Sequence, residues 1–86
     1  MAEFVKVAST DVALFNVDGK FFALSNACTH EEGPLAEGEI TGHEVICPWH
    51  GAKFDIRTGE VLGPPAYDAV VRYDVRVAGD DIEVAV

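Results

Sequence analysis

The chain has 86 residues, 49% of them apolar, and no apolar run in it approaches the length needed to cross a bilayer, which suits one small globular domain spanning 1–86. Fifteen acidic residues against six basic ones give a net charge of −9, which repels nucleic-acid phosphates and anionic lipid surfaces alike. Nucleic-acid and membrane-surface roles are thereby excluded. The opening Met1-Ala2-Glu3-Phe4 has an acid where a secretion signal needs a basic segment and a long apolar stretch, so the expected location is the cytoplasm.

No stretch sustains a 3.6-residue apolar period, whereas period-two alternation and turn residues recur throughout, so strands are expected and helices should be short or absent. A first strand falls at residues 4–8. Residues 12–17 and 20–24 flank Asp18-Gly19, and a two-residue Asp-Gly between apolar runs predicts a hairpin because both turn positions favour φ > 0. Residues 27–39 break the alternation, with Gly33-Pro34 and Gly38. Residues 40–46 then form a pair around Thr41-Gly42-His43. A second break falls at residues 47–52, with Pro48 and Gly51. Residues 53–56 and 60–62 bracket Arg57-Thr58-Gly59, residues 63–66 form a proline loop, and Val71, Tyr73, Val75 and Val77 alternate with charged residues. Ala78-Gly79-Asp80-Asp81 turns that last strand into Ile82, Val84 and Val86.

The two non-alternating stretches are the candidate functional loops, since binding groups sit on loops held by a rigid sheet. The first contains Cys28-Thr29-His30 and the second Cys47-Pro48-Trp49-His50, with sixteen residues between His30 and Cys47. Residues two apart in an extended loop face the same side, so Cys28 and His30 can address one object. Cys47 and His50 stand at i and i+3 around a proline at i+1, a β-turn arrangement that brings its ends within about 7 Å. Each loop thus offers one thiolate and one imidazole. In a reducing compartment such pairs indicate metal rather than a disulfide. Two chemistries fit the set: a tetrahedral Cys2His2 zinc, or a [2Fe-2S] cluster in which two histidines replace two cysteines on one iron.

The pattern C-T-H, a sixteen-residue gap and C-P-W-H-G resembles the Rieske signature. The likeness extends to Glu31-Glu32-Gly33-Pro34-Leu35, Gly51-Ala52-Lys53-Phe54-Asp55, Arg57-Thr58-Gly59-Glu60 and Gly63-Pro64-Pro65-Ala66, which are similar to the small Rieske-type ferredoxins serving bacterial ring-hydroxylating dioxygenases. It covers the chain from about Val12 onward. The resemblance implies an all-β Rieske fold of stacked antiparallel sheets with a two-loop cluster-binding subdomain. It implies one [2Fe-2S] cluster, with Cys28 and Cys47 on one iron and His30 and His50 on the other, at the tip of the domain. The implied function is one-electron transfer from a flavin-dependent ferredoxin reductase to a terminal oxygenase, both docking transiently at that tip. With no catalytic triad, paired acid/base carboxylates or phosphate loop in view, the chain is expected to be a carrier and not an enzyme. Its length and acidity favour a monomer. Two other readings stay open: the Rieske-like small subunit of a nitrite reductase, and a zinc-stabilised interaction module.

Respiratory and photosynthetic Rieske proteins carry a serine and a tyrosine at the positions of Ala52 and Phe54, and an extra cysteine in each loop that forms a disulfide. This chain has neither the hydroxyls nor the extra cysteines. Residues 28–52 also hold five glutamates (31, 32, 37, 39, 44) and no lysine or arginine, and negative charge disfavours adding an electron. The expected potential lies at the low end of the class, around −150 mV. His43 reads as a solvated turn residue. Trp49 reads either as a cover or partner-facing surface or as plain packing, and Gly33 and Gly51 either as close-approach positions or as turn formers. Such relatives usually carry more residues between the first two strands, where only Ser9-Thr10-Asp11 intervenes here.

Overall fold

The computed structural model describes residues 2–27, 33–49, 51–64 and 67–86. Three strands, β1 (Ala2–Val7), β2 (Thr10–Val17) and β3 (Lys20–Ser25), run as an antiparallel meander. The β2–β3 turn is Asp18-Gly19, with φ of 53° and 84°, the two left-handed positions that the Asp-Gly pair predicts. Thr10 and Asp11 belong to β2, so the short link after β1 is a two-residue turn, Ala8-Ser9, that closes directly on the pair Val7 and Thr10. Ala8 takes φ of 57° there, a left-handed conformation no sequence rule marks for alanine.

After the first loop come a single 3₁₀ turn, η1 (Leu35–Glu37), and four short strands, β4 (Glu39–Thr41), β5 (Glu44–Ile46), β6 (Lys53–Asp55) and β7 (Val61–Gly63). These four form the smaller sheet in chain order. His43 lies exposed in the β4–β5 turn, as expected of a solvated turn residue. A hairpin, β8 (Arg72–Ala78) and β9 (Asp81–Ala85), returns to the first sheet and extends it to β1-β2-β3-β8-β9. Its turn is two residues, tighter than the four the sequence suggested, because Ala78 pairs with Asp81. Among the described residues no helix is long and apolar enough to cross a membrane.

Alternation explains the core. Ala13, Phe15 and Val17 of β2 share one face with Leu24 of β3, and they cluster with Val45 and Phe54 of the smaller sheet, Ile56 just after β6, Leu35 and Val70. Cys47 and Ala52 belong to the same cluster, so the second candidate loop is rooted in the core. Burial of this apolar face is what stacks one sheet on the other.

The β6–β7 connection is fastened by charge. The Asp55 carboxylate accepts from the Arg57 backbone N–H at 2.8 Å and from the guanidinium at 3.2 and 3.1 Å. The guanidinium holds the carboxyl below its ordinary 3.8, against an opposing push from burial. A depressed carboxylate adds stability above its unfolded value, and that stability is lost as pH falls through the folded value. Urea unfolding at pH 7 and pH 3 should therefore show a smaller acid loss in Asp55→Asn than in the unsubstituted chain; an equal loss would remove Asp55 from the acid response.

Candidate metal centre

Each candidate loop leaves its sheet through a hydrogen-bonded neck. For the first, between β3 and β4, Ala27 bridges Pro34, the Asn26 carbonyl accepts from Leu35 N–H at 2.8 Å, and the Asn26 side-chain oxygen accepts from Ala36 N–H at 2.9 Å. For the second, between β5 and β6, Cys47 N–H donates to the Ala52 carbonyl at 2.7 Å. Both candidate loops are thus closed at their base by backbone hydrogen bonds.

Of the four sequence-predicted ligands, Cys47 is placed, at 2% exposure. Cys28, His30 and His50 lie outside the described residues, as do Glu31, Glu32, Pro65 and Ala66 of the flanking motifs. The two loops nevertheless meet within what is described. Gly33, the residue before the closing Pro34 of the first neck, sits so close to the second loop that a β-carbon on it would fall 2.6 Å from Cys47 Sγ. The Cys47 sulfur therefore lies against the loop that carries Cys28 and His30. That placement, a soft donor in an apolar setting against the loop whose sequence holds a second Cys/His pair, fits an iron–sulfur centre. Ala52, at the end of the second loop, and Phe54, in β6, are fully buried, and neither brings a hydroxyl. Trp49 packs through its Cβ and Cγ against Gly33 of the first loop rather than against a sheet, and it remains 49% exposed.

Three features of this region were not read from the sequence. Asn26 fastens the first neck with backbone and side chain together, and asparagine's habit of bonding backbone nearby was the available signal. The Gly33 contact with Cys47 and the Trp49 contact with Gly33 join residues more than a dozen positions apart, which no local rule connects.

An all-β stack of two antiparallel sheets, with two necked loops meeting at a buried cysteine, defines a cluster-carrying electron-transfer module. Residues 2–74 match the Rieske [2Fe-2S] domain family. The chain is 46% identical over 74 residues to the biphenyl dioxygenase ferredoxin subunit of Pseudomonas sp. strain KKS102, covering 85% of this chain and 68% of that one. It superposes on the ferredoxin of carbazole 1,9a-dioxygenase from Nocardioides aromaticivorans IC177 with a TM-score of 0.94 at 34% identity, over 98% of this chain and 83% of that one. A chain in the complex of reduced oxygenase and oxidized ferredoxin in carbazole 1,9a-dioxygenase gives 0.93 at 29% identity, over 99% and 88%. The chain belongs to the Rieske [2Fe-2S] family. It carries one Rieske-type cluster, which decides between the two ligand chemistries the sequence left open, and it is an electron-carrying ferredoxin rather than a catalyst.

Proposed function

We propose that this ferredoxin takes single electrons from a flavin-dependent reductase and delivers them to the terminal oxygenase of an aromatic-ring dioxygenase system, in the cytoplasm and as a monomer. In this reading the 86 residues act as one domain, with cluster loops at about 27–39 and 47–52 and the proline loop at 63–66. Cys28 and Cys47 bind one iron and His30 and His50 the other. The meeting of the two necked loops at Cys47 Sγ carries the ligand assignment, and the ferredoxin subunits among its relatives support the partners.

When bound, the cluster supplies one reversible one-electron couple. The chain's own residues do the rest. The hydrogen-bonded necks tie both loop bases to the sheets, which limits how far the loops can shift when the charge of the centre changes. Burial of Ala52 and Phe54 keeps water from the inner side of the second loop. Purified protein should be red-brown and, after dithionite reduction, should give a paramagnetic resonance signal of low average g, below that of all-cysteine ferredoxins. A colourless, silent protein holding one zinc would overturn the assignment.

Charge directs encounter. Among the described residues Lys6 pairs with Asp11, Arg57 with Asp55, Arg72 with Asp74 and Arg76 with Glu83, while in sequence the loop stretch 28–52 holds five glutamates and no lysine or arginine. That asymmetry suits a positively charged docking face on the partner. Glu31→Lys and Glu32→Lys should slow reduction by the reductase about ten-fold at low salt and by far less at high salt. Equal rates at both salt levels would remove charge from the docking step.

A further inference from the structure

The chain has two cysteines, and both are assigned as ligands, so nothing remains in it to form a disulfide between the loops. Among the described residues the two loops meet at Gly33. A β-carbon on Gly33 would lie 2.6 Å from Cys47 Sγ, 3.1 Å from Trp49 Cγ and 3.2 Å from Trp49 Cβ, the first of these closer than side-chain carbons come to other atoms in proteins. The bare backbone at position 33 is thus seated on both the sulfur and the root of the indole. Gly33 itself is buried, although Trp49 beside it is half-exposed. Gly33 therefore closes one side of the Cys47 sulfur, and Trp49 of the other loop packs against Gly33 in turn. Each atomic contact is small, but a buried backbone seat under an aromatic root gathers many of them.

We propose that Gly33 and Trp49 form a noncovalent clasp that holds the two ligand loops together over the Cys47 sulfur and limits how readily they open to release the cluster. Both are positioning residues, acting on the centre through Cys47. The proposal rests on Cys47 being a ligand. Alanine at 33 would wedge the loops apart at the sulfur; alanine at 49 removes the indole and leaves the glycine seat uncovered.

The test uses purified holoprotein and follows the bleaching of visible absorbance in excess bathophenanthroline disulfonate, an iron chelator. Gly33→Ala and Trp49→Ala should bleach about three- to ten-fold faster than the unsubstituted protein, the range expected for loss of one aromatic contact. Trp49→Phe, which keeps an aromatic root, should stay within about two-fold. The double variant should bleach no faster than the faster single one, because both open the same clasp. Trp49 is the only tryptophan in the chain, so acrylamide quenching of its emission should rise in Gly33→Ala. Bleaching of Trp49→Ala at the unsubstituted rate, or effects that multiply in the double variant, would overturn the clasp. Should Gly33→Ala fail to load, the comparison of Trp49→Ala with Trp49→Phe decides alone, since it alters a half-exposed side chain. Cys47→Ser separates the two levels: a retained cluster there defeats the ligand assignment, whereas a colourless Cys47→Ser beside an unaffected Trp49→Ala defeats only the clasp.

Discussion

Cys47→Ser should yield a colourless protein with less than about a tenth of the normal iron, and its thermal midpoint should drop by about 10 °C or more. Iron–sulfur sites are held by thiolate, and a serine hydroxyl at neutral pH offers neither the charge nor the softness. The substitution also sets a hydroxyl into a site that is 2% exposed, among Leu35, Val45 and Phe54 of the core. Because so small a core is marginal without a staple, binding energy at the centre is also folding energy, so loss of colour and loss of stability should arrive together. Cys28→Ser should match it if the two cysteines share one iron. Iron analysis with a calorimetric scan checks both, and a Cys47→Ser protein with full iron would end the assignment of that ligand.

Gly59→Ala should cost about 2–4 kcal/mol, more than any other glycine-to-alanine change in a turn of this chain. Gly59 sits at φ of 80°, where a β-carbon would fall 2.3 Å from the Val70 carbonyl oxygen. That carbonyl cannot simply swing aside. Val70 N–H donates to the Gly59 carbonyl at 2.9 Å, and Gly59 N–H donates to the Asp55 carbonyl at 2.7 Å, so the glycine ties the β6–β7 turn to the segment leading into β8. Left-handed strain of about 1–2 kcal/mol adds to the hydrogen bond lost when the segment moves. Gly19→Ala provides the control: φ is 84° but nothing lies within 4 Å of the added carbon, so strain alone should remain. Urea midpoints measure the difference, and equal losses at 59 and 19 would show that the Val70 contact carries no weight.

The β2–β3 hairpin was legible because its turn is chemically explicit, whereas the Ala8-Ser9 turn of β1–β2 was not. Asp18-Gly19 states its own geometry, and the alternation from Val71 to Val77 marks a strand even though Val71 and Val77 stay exposed. The pairing of β3 with β8 was not legible, since period-two patterning tells which face a residue takes and not which strand lies beside it. At the site the same division holds. Cys28, His30, Cys47 and His50 stand out because thiolate and imidazole at short spacing have few other uses, and the family match rests on the segment that contains them. The Gly33–Trp49 contact is invisible in sequence, since a glycine and a tryptophan sixteen positions apart carry no sign of touching until two loops are folded over each other.

The strand pairing that completes the larger sheet has a consequence for how the chain reaches its native state. Ala23 and Tyr73 face each other across β3 and β8 although they stand fifty positions apart, and both ligand loops and the whole smaller sheet lie in the intervening segment. Local hairpins such as β2–β3 and β8–β9 form in microseconds, while topologies dominated by distant pairings take milliseconds to seconds. Closing the larger sheet therefore carries the loop-closure entropy of the whole intervening segment, a cost that prior collapse of the smaller sheet would lower. The segment that holds the candidate cluster loops is thus also the span whose closure the larger sheet requires.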